Sequence, residues 1–355
     1  MQNGAGCEAE LKQLYSIQYA RALAALAVVL AHTGAYGSGN AFHIGSAGVD
    51  IFFVISGFVM WTTTASRAQT PAGFITNRIV RIVPMYWLVT LSLVIAAVCV
   101  PALFPRLKID LGHVVASLLF VPSRSPFNGE LWPVLVQGWT LNYEMFFYAV
   151  FALVLFMPRR LRLIALSMAF CGLALSGVFY AGSNPLLLVY TDSVMLEFLA
   201  GIFLGVAHER NLLPSWRLGW SLFLAGIALF LTAAFTGATS PRIVVWGIPA
   251  VCLVSGLVIV EVRRGMWFSR VAATLGDASY SIYLTHGLVI SALAKAAATL
   301  NPVFFVAICP VVAAAAGVLS WKYLERPLTD GMRRHVSRLR QPKAPAALQA
   351  GGMAR

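Results

Sequence analysis

The sequence predicts an all-α, polytopic integral membrane protein of about ten transmembrane helices, with both termini in the cytoplasm. Hydrophobic residues make up 59% of the 355-residue chain and charged residues only 11%, and the mean hydropathy is +0.79. This composition is typical of chains whose helices cross a bilayer, and it excludes an ordinary soluble fold. The apolar residues also form separate runs of about 20 residues, the length that spans the hydrocarbon core.

The first apolar run, Tyr15–Thr33, carries two polar side chains on one face. Arg21 and His32 are eleven positions apart. At about 100° per residue they lie within roughly 20° of each other and about 16 Å apart along a helix. An ionisable side chain inside a membrane costs about 2.5–3.5 kcal/mol on insertion scales and usually faces a bundle interior or a watery cavity. Arg21 and His32 are therefore the leading candidates for a functional site.

A window of about 20 residues predicts ten spans along the chain. They lie near 15–34, 45–64, 84–104, 138–157, 162–181, 192–208, 218–236, 243–261, 277–298 and 303–323. A further apolar segment, Leu111–Val121, is too short to cross upright, so we expect an interfacial or re-entrant helix there. The sequence shows no internal repeat, which disfavours the transporter folds that are built from duplicated halves.

Basic residues alternate from loop to loop, and this pattern predicts the orientation. If the N-terminus is cytoplasmic, 20 of the 26 Lys and Arg fall in inner segments, and Arg21 and Lys295 fall within spans. The outer loops then hold only Arg106, Lys108, Arg124 and Arg242. The positive-inside rule therefore favours cytoplasmic termini. The formal charge of +13 is explained by this topology, and no nucleic-acid partner is expected.

We divide the chain into a cytoplasmic N-terminal segment 1–14, a membrane domain 15–327 and a basic cytoplasmic tail 328–355. The tail after Arg333 is rich in Ala, Pro and Gly and has no apolar period. We therefore expect it to be disordered, with at most a contact to anionic lipid. The five cysteines are scattered and suggest neither a disulfide framework nor a metal site, so no metal is expected.

Two carboxylates lie inside or beside apolar spans. Asp50, in GVDIFFVISGF, opens the second span and is either a helix N-cap or a functional group. Glu144, in WTLNYEMFFY, lies at least about one turn inside the fourth span, where a carboxylate indicates function or support of a functional partner. The topology places both in the outer half of the membrane with His32. Either carboxylate could hold the tautomer of the imidazole, as a general base requires.

Arg78 and Arg81 occur in NRIVRIVPMYW, three positions apart and hence neighbours on one helical face. Pro84 follows, where we expect the third span to begin. Two interpretations remain open for the arginines. They either anchor the cytoplasmic side of the membrane, or they form an anion site for phosphates together with Arg21, because guanidinium groups suit phosphate oxygens.

The segment DASYSIYLTH begins the ninth span, with Tyr280 in its first turn and His286 about two turns inside. A histidine at this depth is either a hydrogen-bonded core residue or part of the site. Elsewhere, Gly201 and Gly205 form a GxxxG pair, which favours helix packing over a dimer signal.

Taken together, these motifs resemble the acyltransferase-3 family of bacterial membrane O-acyltransferases, most closely its exopolysaccharide-production branch. The resemblance covers Leu14–Pro327 and rests on the order and spacing of several motifs. These are the Arg21 and His32 pair, GVDIFFVISGF from Gly48, RIVRIVPMYW from Arg78, WTLNYEMFFY from Trp139, SYSIYLTH from Ser279 and ERP at Glu325.

The resemblance implies transfer of an acyl group, commonly acetyl, from cytoplasmic acyl-CoA to a sugar hydroxyl of an exported or surface polysaccharide or its lipid-linked precursor. It implies a multi-pass protein of the bacterial inner membrane, with polysaccharide biosynthesis machinery as a possible partner. The chain ends soon after the tenth span, so we expect any extracytoplasmic hydrolase-like domain to belong to a separate partner. In that family the first-span histidine is catalytic, which corresponds to His32, and the paired basic residues correspond to Arg21, Arg78 and Arg81.

The predicted mechanism joins these residues. A hydroxyl attacks a thioester only with a base at hydrogen-bond distance, and His32 is the side chain on the first span that suits this role near pH 7. Direct attack and an acyl-histidine intermediate both remain open. We expect catalytic roles for His32, Glu144 and Asp50, binding of acetyl-CoA by Arg21, Arg78 and Arg81, and substrate contacts from Trp139, Tyr280 and His286.

Two other classes of protein use the same residues differently. A transporter or flippase for a lipid-linked or anionic sugar would use the intramembrane Arg, His, Asp and Glu side chains as a binding path or proton relay. A scaffold for polysaccharide synthesis would not use them catalytically. Acyl transfer by the detergent-purified protein, and its loss on replacement of His32, would distinguish the enzyme from both.

Overall fold

The computed structural model describes residues 14–37, 43–66, 69–105, 107–296 and 301–340, which form helices and no β-strand. The all-α prediction is therefore confirmed for this part of the chain. Lys12, Arg67 and Arg106, which contributed to the predicted orientation, lie outside the described residues. The same is true of residues 1–13 and 341–355.

Fourteen α-helices follow one another in the described part of the chain. They are α1 (Tyr15–Gly37), α2 (Gly48–Ser66), α3 (Pro71–Cys99), α4 (Leu111–Leu118), α5 (Trp139–Val154), α6 (Arg159–Phe179), α7 (Pro185–Tyr190), α8 (Met195–Glu209), α9 (Trp216–Thr236), α10 (Ile248–Arg264), α11 (Arg270–Asp277), α12 (Ser279–Ala296), α13 (Pro302–Ser320) and α14 (Arg326–Arg340). Short π-helical segments precede α10 and connect α13 to α14.

Seven helical stretches of the described chain are long and apolar enough to cross a membrane. They are Gly45–Ala65, Pro71–Cys99, Arg159–Phe179, Pro185–Glu209, Trp216–Thr236, Ile243–Arg264 and Pro302–Leu339. Helices also form at the other three predicted spans: α1, α5 and α12, with 23, 16 and 18 residues. These three helices do not reach the length and hydropathy of a membrane-spanning helix, because α1 and α12 contain polar side chains and α5 is short. A multi-pass membrane protein is thus supported, whereas ten spans and cytoplasmic termini stay predictions.

Helix α1 lies inside the bundle, where it packs against α2, α10, α11, α12 and α13. Its contact residues include Ala20, Ala24 and Ala25, which are wholly buried. Small side chains let neighbouring helices approach closely, the usual solution for helix packing in a membrane. Polar groups of α1 therefore face other helices and the spaces between them.

Helices α2 and α8 approach each other at glycines. A Cβ atom at Gly57 would overlap the carbonyl oxygen of Phe198, and one at Gly201 would overlap that of Val54. Gly205, one turn further along α8, faces the side chain of Trp61. The prediction that the GxxxG pair serves packing within the chain is confirmed.

Helix α3 differs from the prediction at its start. It begins at Pro71, with Thr70 accepting a hydrogen bond from the backbone of Gly73 as its N-cap, and it contains Pro84 internally. The predicted boundary at Pro84 is therefore wrong, because the helix starts more than three turns earlier. Arg78 and Arg81 consequently belong to the same continuous helix as the third span.

Helix α14 contradicts part of the predicted disordered tail. It continues to Arg340, well beyond Arg333, where disorder was expected to begin. Asp330 forms ion pairs with Arg326 at 3.9 Å and Arg333 at 4.0 Å, spacings that support a helix. The helix also packs against α3. A short helix of eight residues, α4, forms within Leu111–Val121, and its interfacial or re-entrant position stays a prediction.

Candidate active site

Two cavities lie along α1, and the two polar residues of this helix line one each. Arg21 lines a cavity of about 230 Å³, named here the arginine cavity. His32 lines a cavity of about 130 Å³, named here the histidine cavity. The predicted common face of Arg21 and His32 is consistent with this arrangement, and each polar group has its own compartment.

The arginine cavity gathers basic side chains from two helices. Arg21 from α1 meets Arg78 and Arg81 from α3, so the predicted neighbourhood of these three arginines is confirmed. The rest of the wall comes mainly from α2, α5 and α12: Val49, Phe52, Phe53, Ile55, Ser56, Val59, Met60, Ile82, Thr140, Leu141, Glu144, Tyr148, Ser279, Tyr280 and Tyr283.

The guanidinium groups in this cavity form no ion pairs within the described chain. Arg21 donates from Nε and Nη2 to the hydroxyl of Ser279 at 3.1 and 3.0 Å. The Nε of Arg78 is buried without a hydrogen-bond partner, and its guanidinium lies 5.9 Å from the ring centre of Phe74. None of the four ion pairs in the described chain includes Arg21, Arg78 or Arg81. The cavity therefore offers positive charge to an anionic ligand.

Glu144 lies in the arginine cavity and not beside His32. Its carboxylate accepts hydrogen bonds from the Ser56 hydroxyl at 2.9 Å and from the Tyr148 hydroxyl. Ser56 and Tyr148 are themselves 3.3 Å apart, so the three side chains form one network. Glu144 contributes a negative charge to a cavity that otherwise carries three positive ones.

Tyr280, a predicted substrate contact, also lines the arginine cavity. Its hydroxyl donates to the carbonyl of Ile82 at 2.8 Å, joining α12 to α3. Nearby, the buried Ser281 donates to Glu325 at 2.6 Å. These contacts attach α12, and the ERP motif that follows α13, to the wall of the cavity.

The histidine cavity contains two imidazoles. The rings of His32 and His286 meet edge to face with centres 4.9 Å apart, and both line the cavity. The remaining lining residues are Val28, Ser46, Val49, Val136, Gln137, Trp139, Arg242, Trp246 and Tyr283. Two of the predicted substrate contacts, His286 and Trp139, thus lie beside His32.

The tautomer of His32 is held by the backbone and not by a carboxylate. Its Nδ1 lies 2.9 Å from the carbonyl oxygen of Val28. A carbonyl only accepts, so Nδ1 carries the hydrogen and Nε2 keeps its lone pair. The prediction that Asp50 or Glu144 supports this imidazole is wrong: Glu144 belongs to the other cavity, and Asp50 binds a different partner.

That partner is Arg242, which sequence reasoning counted only as a loop charge. Asp50 is wholly buried and accepts from Nε and Nη2 of Arg242 at 3.2 and 3.0 Å. The guanidinium lies 5.4 Å from the ring of Trp139 and 5.0 Å from that of Trp246. Asp50 thus positions a cation and two indoles at the histidine cavity. Nothing in the loop sequence distinguishes Arg242 from a topology signal.

Glu197 was also missed, although a signal was present. It interrupts the apolar run MLEFLAGIF of α8, is wholly buried and lies close to the carboxylate of Asp50 and the guanidinium of Arg242. A carboxylate within a long apolar helix indicates function or structural pairing by itself. The same criterion that selected Glu144 would have selected Glu197.

Two residues separate the cavities. Val49 and Tyr283 line both of them, and the ring of Phe52 meets that of Tyr283 at 6.0 Å. The hydroxyl of Tyr283 donates to the carbonyl of Gln137 at 3.1 Å and accepts from the hydroxyl of Thr140 at 3.1 Å. This hydrogen-bonded partition is the wall between the arginine cavity and the histidine cavity.

No group of three or more His, Cys, Asp or Glu side chains that could hold a metal ion occurs in the part of the chain that the structure describes. The side chains that line the two cavities offer imidazole, guanidinium, carboxylate, hydroxyl and indole groups. These suit anion binding in one cavity and proton transfer in the other.

Comparisons with known proteins identify the family of the chain. A family model described as an acyltransferase domain matches residues 14–321. The exopolysaccharide production protein ExoZ of Rhizobium meliloti (strain 1021) is 44% identical over 295 residues, which cover 82% of this chain and 92% of ExoZ. The O-acetyltransferase OatA of Staphylococcus aureus (strain NCTC 8325 / PS 47) is 24% identical over 359 residues, covering 90% of this chain and 58% of OatA. No solved structure matches significantly. The chain belongs to the acyltransferase-3 family.

Proposed function

We propose that this protein is a membrane O-acyltransferase that moves an acetyl group from acetyl-CoA to a sugar hydroxyl of an exported or surface polysaccharide, or of its lipid-linked precursor. The observation that carries the proposal is the pair of adjoining cavities on α1, one lined by three arginines and the other by two histidines. The first suits a polyanionic donor and the second suits activation of a hydroxyl.

The arginine cavity is the proposed donor site. Coenzyme A carries several phosphate charges, and Arg21, Arg78 and Arg81 form no ion pair with a carboxylate of the described residues. Guanidinium groups bind phosphate oxygens through charge-assisted hydrogen bonds. A volume of about 230 Å³ is below the roughly 300–1,000 Å³ of typical ligand pockets. We therefore infer that the acyl-pantetheine end enters and that the nucleotide stays at the mouth.

The histidine cavity is the proposed reaction site. His32 presents an Nε2 lone pair because its Nδ1 is bonded to the Val28 carbonyl. Arg21 and His32 are about 16 Å apart along α1 by helix geometry, a length comparable with a pantetheine arm. A donor held at Arg21 could thus place its thioester at His32, provided that the arm passes the wall of Val49 and Tyr283.

The acceptor is proposed to be a sugar because of the side chains near His32. Trp139 and Trp246 offer indole faces with polar edges, and the amide of Gln137 adds donor and acceptor groups at the same cavity. ExoZ is named for exopolysaccharide production, which supports a polysaccharide or its precursor as the acceptor. The orientation predicted from the loop charges places the arginine cavity towards the cytoplasm, in the bacterial inner membrane, where acetyl-CoA is available.

One experiment separates the enzyme from a transporter or flippase. Purified protein in detergent is given labelled acetyl-CoA and a polysaccharide acceptor, and label in the polysaccharide is counted. Transfer without any membrane barrier supports the acyltransferase. A protein that gives no transfer in detergent but moves lipid-linked sugar across vesicles would contradict it. The acetyl content of the surface polysaccharide, compared between cells with and without the gene, then identifies the acceptor.

A further inference from the structure

His286 carries an unused proton acceptor in the histidine cavity. The residue is wholly buried on α12, and its Nδ1 lies 2.6 Å from the carbonyl oxygen of Tyr283. Because that carbonyl only accepts, Nδ1 holds the hydrogen and Nε2 holds a lone pair. Nε2 has no hydrogen-bond partner. A buried polar atom without a partner is rare in native proteins and requires an explanation.

His32 repeats the same arrangement. Its Nδ1 is held by the carbonyl of Val28 at 2.9 Å, and its Nε2 makes no hydrogen bond within the described part of the chain. The two rings touch edge to face at 4.9 Å. They differ in solvent exposure: His32 is exposed, whereas His286 is buried. The histidine cavity therefore holds two imidazoles whose free nitrogens are both of the Nε2 type.

The described lining of this cavity contains no carboxylate. Asp50 is engaged by Arg242, and Glu144 lies in the arginine cavity. Among the side chains that line the cavity, the two imidazoles are the ones suited to accept a proton from an acceptor hydroxyl. One imidazole cannot carry an acyl group on Nε2 and accept a proton at that atom, and Nδ1 is committed to a backbone carbonyl in each ring.

We propose that the two histidines divide the reaction: Nε2 of His32 takes the acetyl group from acetyl-CoA, and Nε2 of His286 then accepts the proton of the acceptor hydroxyl. The inference rests on the acyltransferase function proposed above. It assigns His286 as a second catalytic residue, and it selects the acyl-histidine route over direct attack.

Acetyl transfer through His32 has two steps. Nε2 of His32 bonds to the thioester carbonyl carbon, the C–S bond breaks, and coenzyme A leaves as a thiolate with the electron pair. The acetyl-imidazolium keeps its Nδ1 hydrogen bond to Val28, which stabilises the positive charge. The hydroxyl oxygen then bonds to the acetyl carbon, the C–N pair returns to His32, and the proton passes to His286. That proton finally neutralises the thiolate through solvent, so acetyl-CoA and alcohol become ester and free thiol.

The first test uses the unmodified protein and needs no variant. An acetyl-enzyme formed before the acceptor binds predicts that labelled coenzyme A exchanges into acetyl-CoA with no polysaccharide present. The protein should also gain one acetyl group by intact mass after rapid quenching. Transfer to polysaccharide without exchange and without acetylated protein would overturn the two-histidine route while leaving the acyltransferase function intact. Absence of transfer to polysaccharide would instead contradict the proposed function itself.

The second test separates the two rings. In His286→Gln, we expect turnover to fall by about 10²–10⁴-fold, the usual contribution of general-base catalysis, while acetylated protein accumulates. In His32→Gln, both exchange and acetylated protein should be lost. His335→Gln, at an exposed position on α14, is the control and should match the unmodified protein. Elution as a single species in detergent checks folding of each variant. A folded His286→Gln protein with normal turnover would remove His286 from the mechanism.

Discussion

Asp50 and Arg242 form a two-point contact between residues 192 positions apart in the chain. The carboxylate of Asp50 is completely buried, whereas the side chain of Arg242 is 26% exposed. The pair connects the first turn of α2 to the segment that enters α10. Its guanidinium also contacts the indoles of Trp139 and Trp246. One buried carboxylate thus fixes one side of the histidine cavity.

Replacing Asp50 by Asn should therefore lower stability strongly. Removing one partner of a fully buried ion pair costs about 3–5 kcal/mol, and the loss here should be smaller because Arg242 is 26% exposed and keeps Glu197 and Asp192 nearby. Thermal unfolding in detergent measures the effect. Asp330→Asn, which disturbs only exposed ion pairs of α14, is the matched control and should change stability by about 1 kcal/mol or less. Equal losses in both variants would contradict a structural role for the Asp50 contact.

Replacing His32 by Ala should abolish acetyl transfer while the protein still inserts and accumulates normally. The imidazole is exposed to its cavity and its contacts are limited to the ring of His286 and the carbonyl of Val28, so the loss is expected to be mainly chemical. Acetylation of surface polysaccharide and protein abundance in membranes are measured together. His335→Ala, outside both cavities, serves as the comparison. Normal acetylation in His32→Ala would exclude this imidazole from the reaction.

The double replacement of Arg78 and Arg81 by Ala should weaken binding of acetyl-CoA. A hydrogen bond to a charged group contributes about 1.5–3 kcal/mol, so loss of even one phosphate contact predicts a rise in KM of roughly 10-fold or more. The same change at Arg333 and Arg338, which are exposed on α14, removes equal charge away from the cavity. An unchanged KM in the Arg78 and Arg81 variant would leave membrane anchoring as the role of these two residues.

Replacing Gly201 by Ala should destabilise the bundle, because the new methyl group would overlap the carbonyl of Val54 on α2. Gly172, within α6, has open space around its position, so Gly172→Ala should be neutral or stabilising by up to about 1 kcal/mol through helix propensity. The midpoint of thermal unfolding distinguishes the two. If Gly201→Ala is as stable as Gly172→Ala, the helices do not approach as closely as described.

Replacing Phe52 by Ala should relax discrimination between acetyl and longer acyl donors. Phe52 lines the arginine cavity and meets the ring of Tyr283 in the wall between the cavities. A methylene in an apolar site contributes about 1–3 kcal/mol to discrimination, so the kcat/KM ratio of butyryl-CoA to acetyl-CoA should rise at least several-fold. Leu328→Ala, on α14, should leave the ratio as it was. An unchanged ratio in Phe52→Ala would mean that residues other than Phe52 limit the length of the acyl group.

Much of the fold was predictable, because hydrophobic run length and a low density of charge determine where helices can form in a membrane. The same logic selected Arg21, His32, Glu144 and the Arg78 and Arg81 pair, since ionisable groups are rare in apolar spans. This reasoning failed at positions whose residue type fits two interpretations. Pro84 suggested a boundary although α3 continues through it, and Arg242 resembled an ordinary loop charge.

The grouping of the residues could not be predicted. Glu144 was expected beside His32, but it shares a cavity with the arginines, and His32 takes its hydrogen-bond acceptor from Val28, one turn earlier in α1. Residues on different helices meet according to how the helices cross and rotate. That geometry depends on close packing at small residues such as Gly57 and Gly201, which a linear pattern does not specify.

The sequence by itself determined that this chain is helical and membrane-embedded and that it carries a few ionisable groups within its apolar spans. It could do so because burial in lipid restricts both composition and backbone structure. Only the tertiary structure decided which of these groups meet. It joined Asp50 to Arg242, separated Glu144 from His32, and placed His286 against His32, because side-chain partners within a bundle are set by contacts between helices that are distant in sequence.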